Sequence, residues 1–79
     1  MKAQIYVTLK KSVLDPQGST IERSLKQMGY DDVASVRIGK FIELDINSDD
    51  KAKAEAQIKE MCDKLFVNPN IEEYRFELL

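Results

Sequence analysis

Seventy-nine residues with 12 Lys plus Arg, 14 Asp plus Glu and no His make room for one small domain over 1–79 and exclude a large self-contained enzyme. A lone Cys62 rules out an intrachain disulfide and, with His absent, a zinc site of thiolates and imidazoles; a core of this size contributes only ~3–5 kcal/mol, which leaves oligomerisation as the remaining support. The net charge of −2 gives no electrostatic footprint for nucleic acid.

The first segment alternates, with Ala3, Ile5, Val7 and Leu9 on one face and Gln4, Tyr6, Thr8 and Lys10 on the other, the pattern of a half-buried strand. Asp15-Pro16-Gln17-Gly18-Ser19 then offers two competing helix starts. Asp15 caps with Pro16 at the first helical position, or Ser19 caps with Glu22 completing a capping box. Either way Ile21, Leu25 and Met28 share a stripe and Gly29 stops a helix over about 17–29.

Residues 33–46 carry Val36, Ile38, Ile42, Leu44 and Ile46 at even positions and Arg37, Phe41, Glu43 and Asp45 at odd ones. A two-residue hairpin at Gly39-Lys40 would split that apolar stripe between faces, so parity favours one long strand bent at Gly39 over a strand pair, which would need a bulged loop. At ~3.3 Å per residue a continuous strand reaches ~46 Å, whereas a compact chain of this length is only ~30 Å across. Its overhanging end needs backbone partners from another subunit. A strand-sharing homodimer, or a tetramer built as a dimer of dimers, follows as the expectation.

Ser48-Asp49-Asp50 supplies a cap and an acidic first turn for a second helix over about 49–66. Ala54, Ile58, Met61 and Leu65 form its stripe, which Cys62 and Phe66 widen. Beyond the break at Val67-Asn68-Pro69-Asn70, Tyr74, Phe76 and Leu78 alternate with Glu73, Arg75 and Glu77 in a last strand. The order is strand, helix, long strand or strand pair, helix, strand. This is an α+β pattern related to the ferredoxin-like fold, a mostly antiparallel sheet with two helices on one face.

The inventory for catalysis is thin. No His serves as a base, and Cys62 lies in an apolar stripe, where it reads as a small core residue. Glu72 and Glu73 face opposite ways on a strand, and Asp49-Asp50 is explained by capping. Gly39-Lys40 lacks the other residues of a phosphate loop. Arg37 and Lys40 instead read as projecting onto an exposed surface, and Tyr6, Phe41, Tyr74 and Phe76 lack the basic flanks of an RNA platform. No apolar run reaches the ~18 residues of a membrane span, and the N-terminus lacks a signal peptide's apolar stretch, so a cytoplasmic protein without membrane contact is expected.

Five stretches in order, Ile5-Tyr6-Val7-Thr8-Leu9-Lys10, Val13-Leu14-Asp15-Pro16-Gln17-Gly18, Val36-Arg37-Ile38-Gly39-Lys40, Met61-Cys62-Asp63-Lys64-Leu65 and Ile71-Glu72-Glu73-Tyr74, give a chain that resembles the PurS family of phosphoribosylformylglycinamidine synthase subunits over essentially its whole length. The resemblance implies a non-catalytic dimeric subunit of purine biosynthesis. It would bridge the glutaminase PurQ and the synthetase PurL and assist ammonia transfer between them. ATP and magnesium are expected in PurL, with no cofactor or metal in this chain. Asp15, Gln17, Gly18, Arg37, Gly39 and Lys40 match the family's motifs and are candidate structural or interface positions, with no catalytic residue among them. A small-molecule sensing module of the amino-acid-binding kind is the alternative from a different class; it predicts saturable amino-acid binding by the isolated chain. Fold analogy alone does not choose between the two.

Overall fold

The computed structural model describes residues 1–79. The elements run β1 (Lys2–Leu9), α1 (Pro16–Gln27), β2 (Gly39–Asp45), α2 (Lys51–Met61) and β3 (Glu72–Leu78). The three strands form one antiparallel sheet in the order β2-β1-β3. β1 takes the centre because its odd-numbered side chains are wholly apolar, and Ala3, Ile5 and Val7 are buried. Register places Ile42 and Phe76 beside Ile5, and Leu44 and Leu78 beside Ala3, so three apolar half-faces merge into one.

α2 covers that face. Ala54, Ile58 and Cys62 are fully buried, and Ile58 and Cys62 join Ala3, Ile5, Val7 and Val67 in the core, flanked by Ile42, Leu44, Ile46, Phe66, Tyr74, Phe76 and Leu78. Asp50 is its N-cap, accepting the Lys53 amide at 3.1 Å, while Ser48 Oγ accepts the Asp50 amide at 3.2 Å. At its C-terminus the helix widens into a π-helical turn, Cys62–Phe66, in which the Val67 amide donates to Cys62 O. That extra residue rotates the end of the apolar stripe. Phe66 and Val67 turn to the core, and Leu65, expected there from uniform helical spacing, is 78% exposed.

Two further expectations are corrected, and one open alternative is decided. Only one helix covers the sheet: α1 contributes nothing to the core, and Ile21 and Met28 are exposed. The strand over 33–46 is neither continuous nor a hairpin. β2 begins at Gly39, opposite Thr8, and 33–38 precede it outside the sheet. β1 ends at Leu9 and its chain turns away, which leaves nothing in this chain for 33–38 to pair with. Of the competing α1 starts Asp15 prevails, its Oδ1 accepting the Gly18 amide at 2.9 Å.

The radius of gyration is 16.0 Å and the long axis 49 Å, against a radius of roughly 12 Å for a compact chain of this length. Strands of eight residues or fewer account for only ~26 Å. The rest is α1 and the segment after it, reaching past the end of the sheet.

Candidate functional site

The six motif residues converge where β1 ends, α1 begins and β2 enters the sheet. Proline at the first position of α1 and an aspartate before it set the helix start. Asp15 is 6% exposed, and both its oxygens are used: Oδ1 accepts the Gly18 amide and Oδ2 the Ile38 amide, each at 2.9 Å. Those two bonds, Ile38 first, hold its carboxyl below the ordinary value, with a smaller contribution from the Arg37 guanidinium. One carboxylate thereby ties the helix start to the strand entry.

Arg37 works from the other side. Its Nη1 donates to Val13 O at 3.0 Å and Lys10 O at 3.4 Å, and its Nη2 to Lys11 O at 2.9 Å. A planar fork with several donors can span three carbonyls of one turn; an ammonium cannot. Arg37 lies on the exposed surface, and there its guanidinium is held by these carbonyls. Lys40 is likewise engaged, donating to Phe66 O at 3.1 Å with Glu72 3.7 Å away. Its parity with Val7 puts it on the helix-covered face, so its stem lies along the sheet end and its ammonium reaches the rim.

The glycines allow close backbone approach. A Cβ on Gly18 would lie 2.2 Å from Val36 O, and one on Gly39 would lie 2.5 Å from Val7 O. Gly39, expected as a bend, matters because β2 meets β1 there. Gln17 lies beside the clamp and, with Asp15, Gly39, Lys40 and Glu72, lines an open cleft of about 390 Å³. Asp15 is thus occupied by backbone amides, and Arg37 and Lys40 by carbonyls. The arrangement fixes direction; it presents no free acid or base to a substrate. Burial also pushes the Cys62 thiol up, as Asp63 does to a lesser extent, so the thiolate a nucleophile requires is disfavoured.

A second feature was missed at the level of sequence. The aromatics divide: Tyr74 and Phe76 pack toward the core, while Tyr6 and Phe41 meet on the open face with ring centroids 5.1 Å apart. The Arg75 guanidinium stands 4.0 Å over the Tyr6 ring. Alternation already put Phe41 on the face opposite Ile42, but only the β1 register brings Tyr6 between Phe41 and Arg75.

A family model for PurS, phosphoribosylformylglycinamidine (FGAM) synthase, matches residues 2–79. The phosphoribosylformylglycinamidine synthase subunit PurS of Synechocystis is 52% identical over 75 residues, 95% of this chain and 75% of that protein. The structure of Bacillus subtilis PurS superposes with a TM-score of 0.85 at 50% identity, covering 96% of this chain and 94% of that one. A chain in the structure of PurLQS from Thermotoga maritima gives a TM-score of 0.89 at 40% identity, covering 99% and 95%.

Proposed function

Because this chain belongs to the PurS family, as a PurS subunit of FGAM synthase in purine biosynthesis, we propose that it joins the PurL synthetase to the PurQ glutaminase and assists the passage of ammonia between them. The likeness to a chain of the PurLQS structure from Thermotoga maritima is the observation that carries this reading. Holding the ammonia source against the acceptor site keeps a diffusible intermediate from loss and protonation in bulk water, a proximity effect. ATP and magnesium belong to PurL in this scheme, and the assembly works in the cytoplasm.

The same reading makes the chain a dimer that shares strands. The amides of Ala34 to Arg37 find no acceptor within the chain, and β2 has an open outer edge that runs on from them. Exposed apolar residues lie at both helices: Ile21 in α1 and Met28 at its C-cap, and Leu65 in the π-helical turn that follows α2. One chain, elongated as it is, does not bring these together. A second copy can, by extending the β2 edge with its own 33–38 and laying its α1 beside α2. The motif clamp at Asp15 and Arg37 would set the direction in which α1 and this segment leave the sheet, which makes those residues interface-positioning groups.

The test reconstitutes purified chain with PurL and PurQ counterparts and follows glutamine-dependent amidine formation. Full activity only with all three proteins is expected; the same glutamine-dependent rate without this chain overturns the reading. Saturable amino-acid binding by the isolated chain would support the sensing alternative instead. Sedimentation separates the dimer claim: Met28→Asp and Leu65→Asp are expected to yield monomers, and a wild-type chain that sediments as a monomer at micromolar concentration rejects it.

A further inference from the structure

Two copies that share strands can meet in several registers, and the residues along the β2 edge distinguish them. Met1 and Ile46 exchange both backbone bonds at the end of the β1–β2 ladder, so antiparallel alternation turns the amides and carbonyls of Phe41, Glu43 and Asp45 to the outer edge. The same parity runs back through 33–38. The Ile38 amide is taken by Asp15 and Val36 O approaches Gly18, both on the α1 side, which leaves the backbone groups of Ser35 and Arg37 directed outward. Odd-numbered residues of one copy therefore bond odd-numbered residues of the other, and opposed side chains share a face. An isologous pair places one residue on the two-fold axis, and Ile38, Gly39, Lys40 and Phe41 are the positions that bring 33–38 opposite β2.

We propose that a second copy pairs along this edge with Lys40 on the two-fold axis. The inference rests on the strand-sharing dimer proposed above and fixes its register. Ile38 then lies opposite Ile42 of the second copy and Val36 opposite Leu44, apolar against apolar on the helix-covered face. On the other face Arg37 lies opposite Glu43, a pair of opposite charge. Phe41, 54% exposed, covers Gly39 of the second copy, where an aromatic ring makes up for the missing side chain. An apolar hollow of about 460 Å³ beside α1, lined by Pro16, Gln17, Thr20, Ile21 and Ile38, receives Ile42 of the second copy at its Ile38 wall; one chain leaves it open. The other registers pair badly. An axis at Ile38 sets Lys40 against Val36, one at Gly39 sets it against Ile38, and one at Phe41 sets it against Ile42, each twice by symmetry. On the axis Lys40 meets only its own copy. Like charge is relieved there because the ammonium is drawn back across its own sheet, to Phe66 O at 3.1 Å and Glu72 at 3.7 Å, two strands away from the shared edge.

Even-numbered opposed residues form the non-hydrogen-bonded pairs of this register, whose side chains stand close enough for a disulfide. The experiment treats the full chain with oxidised glutathione, as wild type, Lys40→Cys, Ile38→Cys, Phe41→Cys, the double variant Ile38→Cys with Ile42→Cys, and the double variant Val36→Cys with Ile42→Cys. The last tests the Gly39 axis, since a Cβ on Gly39 itself would lie 2.5 Å from Val7 O. Covalent dimer is read on a non-reducing gel, beside sedimentation of the reduced proteins. Lys40→Cys and the Ile38, Ile42 variant are expected to run mostly as covalent dimer that a thiol reductant reverses. The remaining variants are expected to run mostly as single chains, as is wild type, whose Cys62 is buried. The Ile38, Ile42 variant keeps Lys40 and so decides the register even where Lys40→Cys fails to fold. Cross-linking of Ile38→Cys alone, of Phe41→Cys alone or of the Val36, Ile42 variant moves the axis and overturns the register while the dimer stands. A dimeric wild type none of whose variants cross-links overturns strand sharing at this edge as well. A monomeric wild type overturns register and dimer together.

Discussion

Asp15 and Ile38 are 23 residues apart in the chain, yet Asp15 Oδ2 accepts the Ile38 amide at 2.9 Å while the other oxygen caps α1. Everything between them, helix and extended segment together, is therefore a closed excursion anchored at both ends by one carboxylate. Closing such a loop costs conformational entropy, and the buried, charge-assisted bonds at Asp15 offset part of it.

That carboxylate gives a pH dependence with a definite sign. Hydrogen bonds from the Ile38 and Gly18 amides hold its folded value below the ordinary 3.8. Its stabilisation is then fully present above the unfolded value and is lost as pH falls through the lowered folded one. Asp15→Asn is expected to melt below wild type at pH 7, with the gap narrowing toward pH 2. Thermal melts across that range decide it, and a gap independent of pH would reject the linkage.

The two close approaches predict a steric penalty. Gly18→Ala puts a Cβ against Val36 O, and Gly39→Val puts one against Val7 O, both backbone atoms that move only with their segments. Each is expected to cost about 1–3 kcal/mol, read from urea unfolding. Gly39→Val is also expected to weaken self-association, because it opens the β1–β2 ladder beside the 33–38 segment; unchanged sedimentation would count against that.

Ile58 is fully buried in a core built from few side chains. Ile58→Ala is expected to cost about 2–5 kcal/mol, a large share of the ~3–5 kcal/mol that a core of this size supplies. A denaturation midpoint close to wild type would mean that the α2 packing described above is not what holds the sheet.

Cys62 is buried, and its thiol is pushed up chiefly by burial. A disulfide reagent added to native protein is expected to modify it only as fast as the chain opens, and immediately in denaturant. Rapid labelling of the native chain would show an accessible thiol.

Much of the fold was legible in the residues, for reasons that can be named. Alternation in 3–9 and 71–79 and the capping aspartates are local signals, and the structure returned strands and helix starts within two residues of where they pointed. The apolar stripe of the second helix was legible up to Met61 and then misleading at Leu65, because a π-helical turn changes the period without changing composition. The six motif residues were singled out individually, but their meeting at one junction was not visible. Asp15 to Ile38 and Arg37 to Lys11 are contacts between segments whose separation carries no periodic signature. The Tyr6, Phe41 and Arg75 cluster escaped for a related reason: strand parity assigns a face, and only register assigns neighbours.

Composition and periodicity by themselves determined that this is a small α+β chain with no intrachain disulfide, because those properties depend on residue type and on spacing within a single element. The placement of α1 beyond the sheet, the start of β2 at Gly39 and the use of Arg37 as a turn clamp were decided only in three dimensions. Each of these depends on whether a distant segment of the same chain is within reach. For 33–38, no strand of this chain is, and no local preference of those residues could have supplied one.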